Sequence, residues 1–220
     1  MNQDLIEIIF LSLKVSGLAL FFSALLGLPL GVFIGLYRFP GRRLVTALLY
    51  TGMGFPPVVI GLFVYLLLSR NSILGGLNLP FIPSLFTPGA MILAQTIIAF
   101  PLVAGFTSAA VAGVDPQLRL QVVSLGATKT QTAMTVLREA RVGVIAAIVA
   151  GFGSIISEVG AVMLVGGNIE GRTRVMTTAI VLETRKGNFD LAIALGLILL
   201  AITFVTNLAI LRFQGRMANE

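Results

Sequence analysis

Five stretches of this 220-residue chain are apolar for more than twenty consecutive residues, and no other feature constrains the fold as strongly. They lie near 15–37, 44–68, 88–110, 143–166 and 191–211. Four of them contain no charged side chain, and the stretch 143–166 contains only Glu158. A helix needs about 20 apolar residues to cross a hydrocarbon core of about 30 Å. The pattern predicts an all-α polytopic membrane protein with about five transmembrane helices, forming a single domain over residues 1–220.

The composition excludes several classes of soluble protein. Charged residues make up 11% of the chain, against roughly a quarter in soluble domains, and the mean hydropathy is +1.01. The sequence has no cysteine and no histidine, which removes thiolate chemistry and the commonest general base and metal ligand. The phosphate-binding pattern Gly-x-x-x-x-Gly-Lys-Ser/Thr is absent as well. We therefore expect no catalytic residue, no metal site and no bound cofactor, and any energy from ATP must come from another chain.

The distribution of basic residues predicts the orientation of the chain in the membrane. If the N-terminus lies outside, the inner loops 38–43, 111–142 and 212–220 hold nine Arg and Lys residues, whereas the outer segments hold five. Inner loops of membrane proteins carry the excess of Lys and Arg. The sequence thus predicts an outer N-terminus and an inner C-terminus, and it accounts for the net charge of +6 without a nucleic-acid partner.

The inner loop 111–142 is too long for a simple connection. Asp115 followed by Pro116 is typical of a helix start, so we predict a helix over 117–125 that ends at Gly126. A second helix is predicted near 128–141. Two interpretations remain open: the helix pair is a docking surface for another protein, or it is an amphipathic surface that lies on lipid.

Glu158 is the ionisable residue that most needs a reason inside an apolar stretch. Placing such a group in a span costs at least about 2.5 kcal/mol on insertion scales. Ser154, Ser157 and Gly160 make its surroundings polar and thinly packed. Glu158 either lies on a translocation path or its gate, or it is a hydrogen-bonded carboxyl in a helix interface.

The outer segment 167–190 is apolar enough to enter the membrane and too short to cross it. We predict that Thr173 caps a short helix that runs to about Thr184. Arg172 and Arg174 either shape the field for an anion at the outer mouth or anchor the segment to headgroups or to Glu170.

Small residues and prolines predict how the spans pack and bend. Gly27, Gly31 and Gly35 form a stripe in the first span that permits close helix approach. Pro56-Pro57 and Pro101 are predicted to break or kink the second and third spans.

Several of these motifs resemble the type I permease subunits of bacterial and archaeal ATP-binding-cassette importers. Gly126 matches the glycine of the family's coupling loop, although Leu120, Gln121 and Val122 stand where that family has Glu-Ala-Ala. Further stretches are similar to the molybdate and tungstate group: 54–61, 99–116, 157–161 and 167–173. Two more are similar to the tungstate branch in particular: 136–141 and 178–185.

The resemblance implies two sets of site residues. The ATPase-coupling loop would use Asp115, Pro116, Gln121, Ser124, Gly126, Ala127, Arg138 and Glu139. The translocation path or gate would use Ser157, Glu158, Gly160, Asn168, Gly171, Arg172 and Thr173.

The resemblance also implies partners and a function. The chain would be the non-catalytic permease of an ATP-driven oxyanion importer, with tungstate as the expected substrate, in a prokaryotic plasma membrane. Its partners would be a second copy of itself, ATPase subunits that bind ATP and Mg²⁺, and an extracytoplasmic oxyanion-binding protein. Alternatives are a molybdate, sulfate or phosphate permease, an autonomous anion channel or secondary carrier, and a structural membrane subunit.

Overall fold

The computed structural model describes residues 2–70, 72, 76 and 82–218, and the side chains of these residues except 2–4, 210–211 and 213–218. Within these ranges the regular elements are α-helices, which confirms the predicted fold class. Numbered in chain order, the helices are α1 Asn2–Leu36, α2 Arg42–Met53, α3 Pro57–Leu68, α4 Pro88–Ala112, α5 Pro116–Ser124, α6 Lys129–Glu139, α7 Arg141–Ile156, α8 Gly160–Gly166, α9 Met176–Arg185 and α10 Phe189–Ala218.

Three helices of the described chain are long and apolar enough to cross a membrane singly: Leu5–Leu36, Pro88–Ala112 and Phe189–Ala209. The pairs α2–α3 and α6–α7 reach that length only together, each across a bend, which allows up to five spans. This range includes the number that the apolar stretches predict.

The glycine stripe of α1 packs directly on α4, as predicted. A Cβ atom added at Gly31 would lie 2.6 Å from the carbonyl oxygen of Ala104, and one added at Gly35 would lie 2.7 Å from Val111. Side chains between the helices would prevent this approach. The two long helices therefore form the frame on which the shorter helices pack.

The second predicted span is broken where its prolines stand. α2 ends at Met53 and α3 begins at Pro57, and the two helix axes differ by 100°. Proline at the first helical position starts α3 without losing a helical hydrogen bond. α4, in contrast, continues through Pro101 as one helix, so the break proposed as one option there does not occur.

The fourth predicted span, 143–166, is not one helix, and this corrects the prediction. α7 ends at Ile156 and α8 begins at Gly160. With 16 residues, α7 is shorter than the roughly 20 residues that a span needs. The charged helix α6 precedes it across a bend of 69°, whereas the apolar α8 follows it. The apolar sequence therefore continues from α7 into α8 across a non-helical break at 157–159.

The core lies where α1, α3, α4 and α8 meet. Its fully buried side chains include Val15, Val64, Met91 and Val162. α9 is tied to this core because its first backbone N–H, at Met176, donates to Ser12 Oγ of α1 at 2.8 Å. α10 stays at the periphery, and many of its large apolar side chains are exposed to whatever surrounds the bundle.

Candidate functional site

The α5–α6 surface, which we define as residues 115–139, projects from one end of the bundle. Asp115 Oδ1 accepts a hydrogen bond from Gln117 N at 2.8 Å and so caps α5. α5 ends just before Gly126, whose φ of +84° favours glycine. Thr128 and Gln131 then form a capping box that starts α6. Both predicted helices and the glycine between them are thus confirmed.

α5 leaves its apolar side chains uncovered. None of its residues is buried. Leu120 is 69% exposed, Val123 is 52% exposed, and Leu125, directly after the helix, is 86% exposed. Exposed apolar clusters with polar residues around them are typical of contact surfaces for another protein.

Two contacts hold this exposed surface in place. Arg119 Nη1 donates to the carbonyl oxygen of Leu36 at 2.7 Å, where α1 ends. Beneath α6, Val136 and Ala140 pack on Leu36 and Val111. These contacts fix the α5–α6 surface to the ends of α1 and α4.

The residues predicted for the coupling loop lie on this surface in two groups. Most lie on or next to α5 and are exposed, with Ala127 partly buried. Ser124 Oγ donates to the carbonyl oxygen of Gln121 at 2.8 Å. Arg138 and Glu139 are exposed at the far end of α6. Glu139 and Asp115 nevertheless line one cavity between the two helices and the end of α4.

Two helix breaks lie side by side at an incompletely buried face of the bundle. The break between α2 and α3 ends at Pro57, and the break between α7 and α8 ends at Gly160. A Cβ atom added at Gly160 would lie 2.4 Å from Val58 Cγ2. One turn later in α3, a Cβ atom added at Gly61 would lie 2.5 Å from Ala161 Cα. The starts of α3 and α8 therefore lie side by side, and both expose backbone groups that a continuous helix would satisfy.

Glu158 stands within the second break and makes two contacts there. Its Oε1 accepts a hydrogen bond from Ala161 N at 3.0 Å, which satisfies one of the free N–H groups at the start of α8. Its backbone carbonyl oxygen accepts a hydrogen bond from Thr177 Oγ1 of α9 at 3.0 Å. Ser157 is exposed and donates to the carbonyl oxygen of Gly153. The residue that sequence analysis singled out thus marks the break.

The loop after α8 is built around Thr173, and here the prediction was wrong. Thr173 is fully buried and does not cap α9, which begins at Met176. Its Oγ1 donates to the carbonyl oxygen of Gly166 at 2.6 Å and accepts from Ile169 N at 2.9 Å. The helix prediction assumed a local contact, whereas the hydroxyl turns back to the end of α8.

The same loop carries positive-φ residues and one ion pair. Gly167, Asn168 and Gly171 have φ values of 72°, 52° and 68°. Arg174 Nη1 lies 3.3 Å from Glu170 Oε2. Arg172, in contrast, is exposed.

The structure therefore separates the predicted path residues into two groups. Ser157, Glu158 and Gly160 lie at the break, whereas Asn168, Gly171, Arg172 and Thr173 lie beyond α8. Seven helical residues correspond to about 10 Å. α9 then returns to the level of the break, because Thr177 contacts Glu158.

Sequence analysis missed three polar residues that fasten this region. Ser12 of α1 accepts a hydrogen bond from the first N–H of α9. Thr177 of α9 donates to the carbonyl oxygen of Glu158. Gln95 of α4 is 3% exposed and donates to the carbonyl oxygen of Ile155 at 2.8 Å. The available signal was a lone polar side chain inside an apolar stretch, which in membrane proteins usually bonds across helices.

The turn between α9 and α10 holds a second buried carboxylate. Glu183 accepts hydrogen bonds from Lys186 Nζ at 2.8 Å and from Asn188 Nδ2 at 3.1 Å. These bonds stabilise the ionised form and hold the pKa of Glu183 below its usual value. The Glu183–Lys186 ion pair and the Asn188 hydrogen bond together close the turn that leads into α10.

Residues 27–219 match the family model described as the binding-protein-dependent transport system inner membrane component. Among curated proteins, a relative from Haloferax volcanii named "Probable anion ABC transporter permease protein" is 46% identical, over 96% of this chain and 91% of its own length. The "Tungstate uptake system permease protein TupB" of Peptoclostridium acidaminophilum is 42% identical, over 97% and 91%. The "Molybdenum transport system permease protein ModB" of Escherichia coli is 30% identical, over 97% and 95%.

Solved structures show the same fold at lower identity. A chain of the MetNI methionine ABC transporter in an inward-facing conformation superposes with a TM-score of 0.81. The match covers 99% of this chain and 97% of that chain at 20% sequence identity. The helical arrangement described above is thus also the fold of a chain of that ABC transporter.

Proposed function

Because this chain belongs to the family of binding-protein-dependent transport system inner membrane components, we propose that it forms the tungstate path of an ATP-driven importer. The observation that carries the proposal is the near full-length similarity, at 42% identity, to a tungstate uptake permease. Residues 1–220 act as one permease domain that catalyses no reaction of its own. A separate subunit binds ATP and Mg²⁺ and hydrolyses the nucleotide.

The α5–α6 surface is the docking site for that ATPase. Its exposed Leu120, Val123 and Leu125 fill an apolar groove of the partner, because covering them removes apolar area from water. Arg119 ties the surface to the end of α1, so that a movement of the ATPase reaches the long helices directly. An autonomous channel or carrier has no use for this surface. The docking end faces the cytoplasm, which places the N-terminus outside.

Two copies of the chain enclose the path. The breaks at 54–56 and 157–159 give each copy two short non-helical stretches between helices. Transporters place such breaks in discontinuous helices at the path. Closure of the ATPases moves the α5–α6 surfaces together and opens the path toward the outside. Glu158, Ser157 and Gly160 line the gate, and the loop 167–174 faces the oxyanion-binding protein.

Selectivity for the oxyanion resides mainly in the binding protein. The described part of this chain has exposed Arg172 near the outer loop, while Arg174 is paired with Glu170. An exposed guanidinium such as that of Arg172 attracts anions without distinguishing them, because oxyanion recognition needs several fixed donors. Molybdate is the second candidate substrate, since a molybdenum permease is 30% identical over nearly the whole chain.

The test is elemental mass spectrometry of tungsten and molybdenum uptake in cells with and without this chain, at trace concentrations. We expect loss of tungsten uptake with little change in molybdenum. Loss of both metals would favour a shared oxyanion route. Unchanged uptake of both would contradict the proposal.

A further inference from the structure

Gln95 is the buried polar side chain that bonds directly to the broken membrane stretch. It lies in α4 with 3% of its surface exposed. Its Nε2 donates to the backbone carbonyl oxygen of Ile155 at 2.8 Å, across 60 residues of sequence. Its Oε1 is buried and has no hydrogen-bond partner among the described residues.

The acceptor of this bond is the carbonyl that the break releases. In a continuous helix, Ile155 O would accept from the N–H of Val159, four residues later. Here the backbone N–H of Glu158 approaches the same oxygen at 3.2 Å, as in the tighter last turn of an ending helix. Gln95 supplies the second donor. This bond fastens the last turn of α7 to α4, so a straightening that moves this turn away from α4 loses it. The bond therefore favours the broken form by about the value of one net hydrogen bond.

The other contacts at the break do not replace this bond. The Glu158 carboxylate caps α8, and Thr177 bonds to the Glu158 carbonyl from α9. Both act on the α8 side. Gln95 alone, among the described side chains that hydrogen-bond at 153–161 from another helix, holds the α7 side to the α1–α4 frame.

We propose that Gln95 is a positioning residue that holds the α7–α8 break open against the α1–α4 frame and thereby sets the balance between the bent and straight forms of the gate. Its role in transport rests on the proposed function. When the stretch straightens, Val159 N replaces Glu158 N at Ile155 O, and the last turn of α7 moves away from the Gln95 amide. In the straight form the amide can accept a hydrogen bond through Oε1, which has no partner among the described residues in the bent form.

The chain has no cysteine, so paired spin labels can be placed at the break with no competing label site in this chain. The labels go on Ala146→Cys of α7 and Ile169→Cys beyond α8, both exposed positions. Electron–electron distance measurements on the purified complex compare Gln95 with Gln95→Met, which keeps length and removes the donor. We expect a longer distance component to rise about fivefold relative to the short one, as for the loss of one net hydrogen bond.

Thr107→Val is the matched control. Thr107 is a fully buried polar residue of the same helix, and its Oγ1 has no partner among the described residues. Valine has nearly the same shape, so the distance distribution should not change. If Gln95→Met does not assemble, Gln95→Asn replaces it, since the shorter side chain moves the amide away from Ile155. A distribution like that of Thr107→Val in the variant that assembles would overturn the proposal.

Uptake kinetics form a separate readout. In cells, Gln95→Met should lower the maximal rate of tungstate uptake about fivefold and leave the half-saturating concentration unchanged, because affinity belongs to the binding protein. A purely structural defect would lower membrane abundance and rate together. The distance measurement needs no substrate. A shifted distribution without tungstate uptake in the unmodified complex would therefore refute the proposed function and leave the role of Gln95 standing.

Discussion

The carboxylate of Glu158 has a structural and an electrical role, and the two can be separated. Its Oε1 accepts from Ala161 N at 3.0 Å, a bond that an amide oxygen can also accept. The negative charge, in contrast, disappears in Glu158→Gln. The side chain is partly buried at the break between α7 and α8, and on the proposed path its charge would act on a passing anion.

We predict that Glu158→Gln keeps normal membrane abundance and changes the rate of oxyanion uptake. Glu158→Ala also removes the cap of α8, which costs about 1 kcal/mol of stability, and should lower the unfolding temperature as well. Uptake and thermal unfolding in detergent measure the two effects. Thr184→Ala, an exposed hydroxyl of α9 that bonds within its own helix and lies outside the proposed gate, is the control. Equal unfolding temperatures for the Gln and Ala variants would refute the capping role.

Glu183 makes stability depend on pH in a definite direction. The bonds from Lys186 and Asn188 lower the pKa of its carboxyl below the ordinary value of 4.5. A lowered folded-state pKa gives a stabilisation that is present above the unfolded-state pKa and is lost as pH falls through the folded-state value. We predict that the unfolding temperature of the native chain exceeds that of Glu183→Gln near neutral pH. The difference should shrink below about pH 4.5, and a constant difference would contradict this origin.

Among the helices, α1 and α4 depend on the absence of side chains at their contact. Gly31 lies so close to α4 that an added Cβ would be 2.6 Å from Ala104 O and 2.7 Å from Thr107 Cβ. Gly17 of the same helix has no atom within 4 Å of the corresponding position. Both glycines lie in α1, but only Gly31 is in close contact with another helix.

We predict that Gly31→Ala destabilises the protein by about 1–3 kcal/mol, the usual cost of overpacking a close contact. Gly17→Ala should be neutral or slightly stabilising, because alanine favours helices over glycine. Thermal unfolding of the two variants in the same detergent gives the comparison. Similar unfolding temperatures would show that α4 can move away from α1 at little cost.

For the molecule as a whole, the packing of one chain does not explain why the α5–α6 surface is exposed. It buries none of the α5 side chains, yet it is fixed to the end of α1 through Arg119. A surface that is both exposed and rigid is suited to a permanent partner. The predicted partner is the ATPase subunit.

We predict that Leu125→Ser weakens co-purification of the ATPase or separates ATP hydrolysis from uptake. The matched control is Phe189→Ser at the start of α10, another exposed apolar residue, 59% accessible, outside the α5–α6 surface. Gly126→Val should have the stronger effect, since valine rarely adopts the φ of +84° found there. Coupled uptake unchanged in Leu125→Ser and Gly126→Val would contradict the docking assignment.

The sequence by itself determined the features that depend on neighbouring residues. Hydropathy summed over about twenty positions predicted the membrane stretches. Pro57 predicted the break between α2 and α3, and Asp115 and Gly126 predicted the limits of α5. The proline, cap and glycine effects each act within one or two helical turns.

Only the tertiary structure decided how the membrane stretches are fastened to one another. The break at 157–159 has no proline, and its released carbonyl at Ile155 is satisfied from α4 by Gln95, 60 residues away. Ser12 holds the start of α9 from a distance of 164 residues. The hydroxyl of Thr173, which was predicted to cap α9, donates instead to the carbonyl oxygen of Gly166 at the end of α8. Hydrogen-bond partners so far apart in sequence are selected by helix packing, because burial requires each polar group to bond wherever packing has placed it.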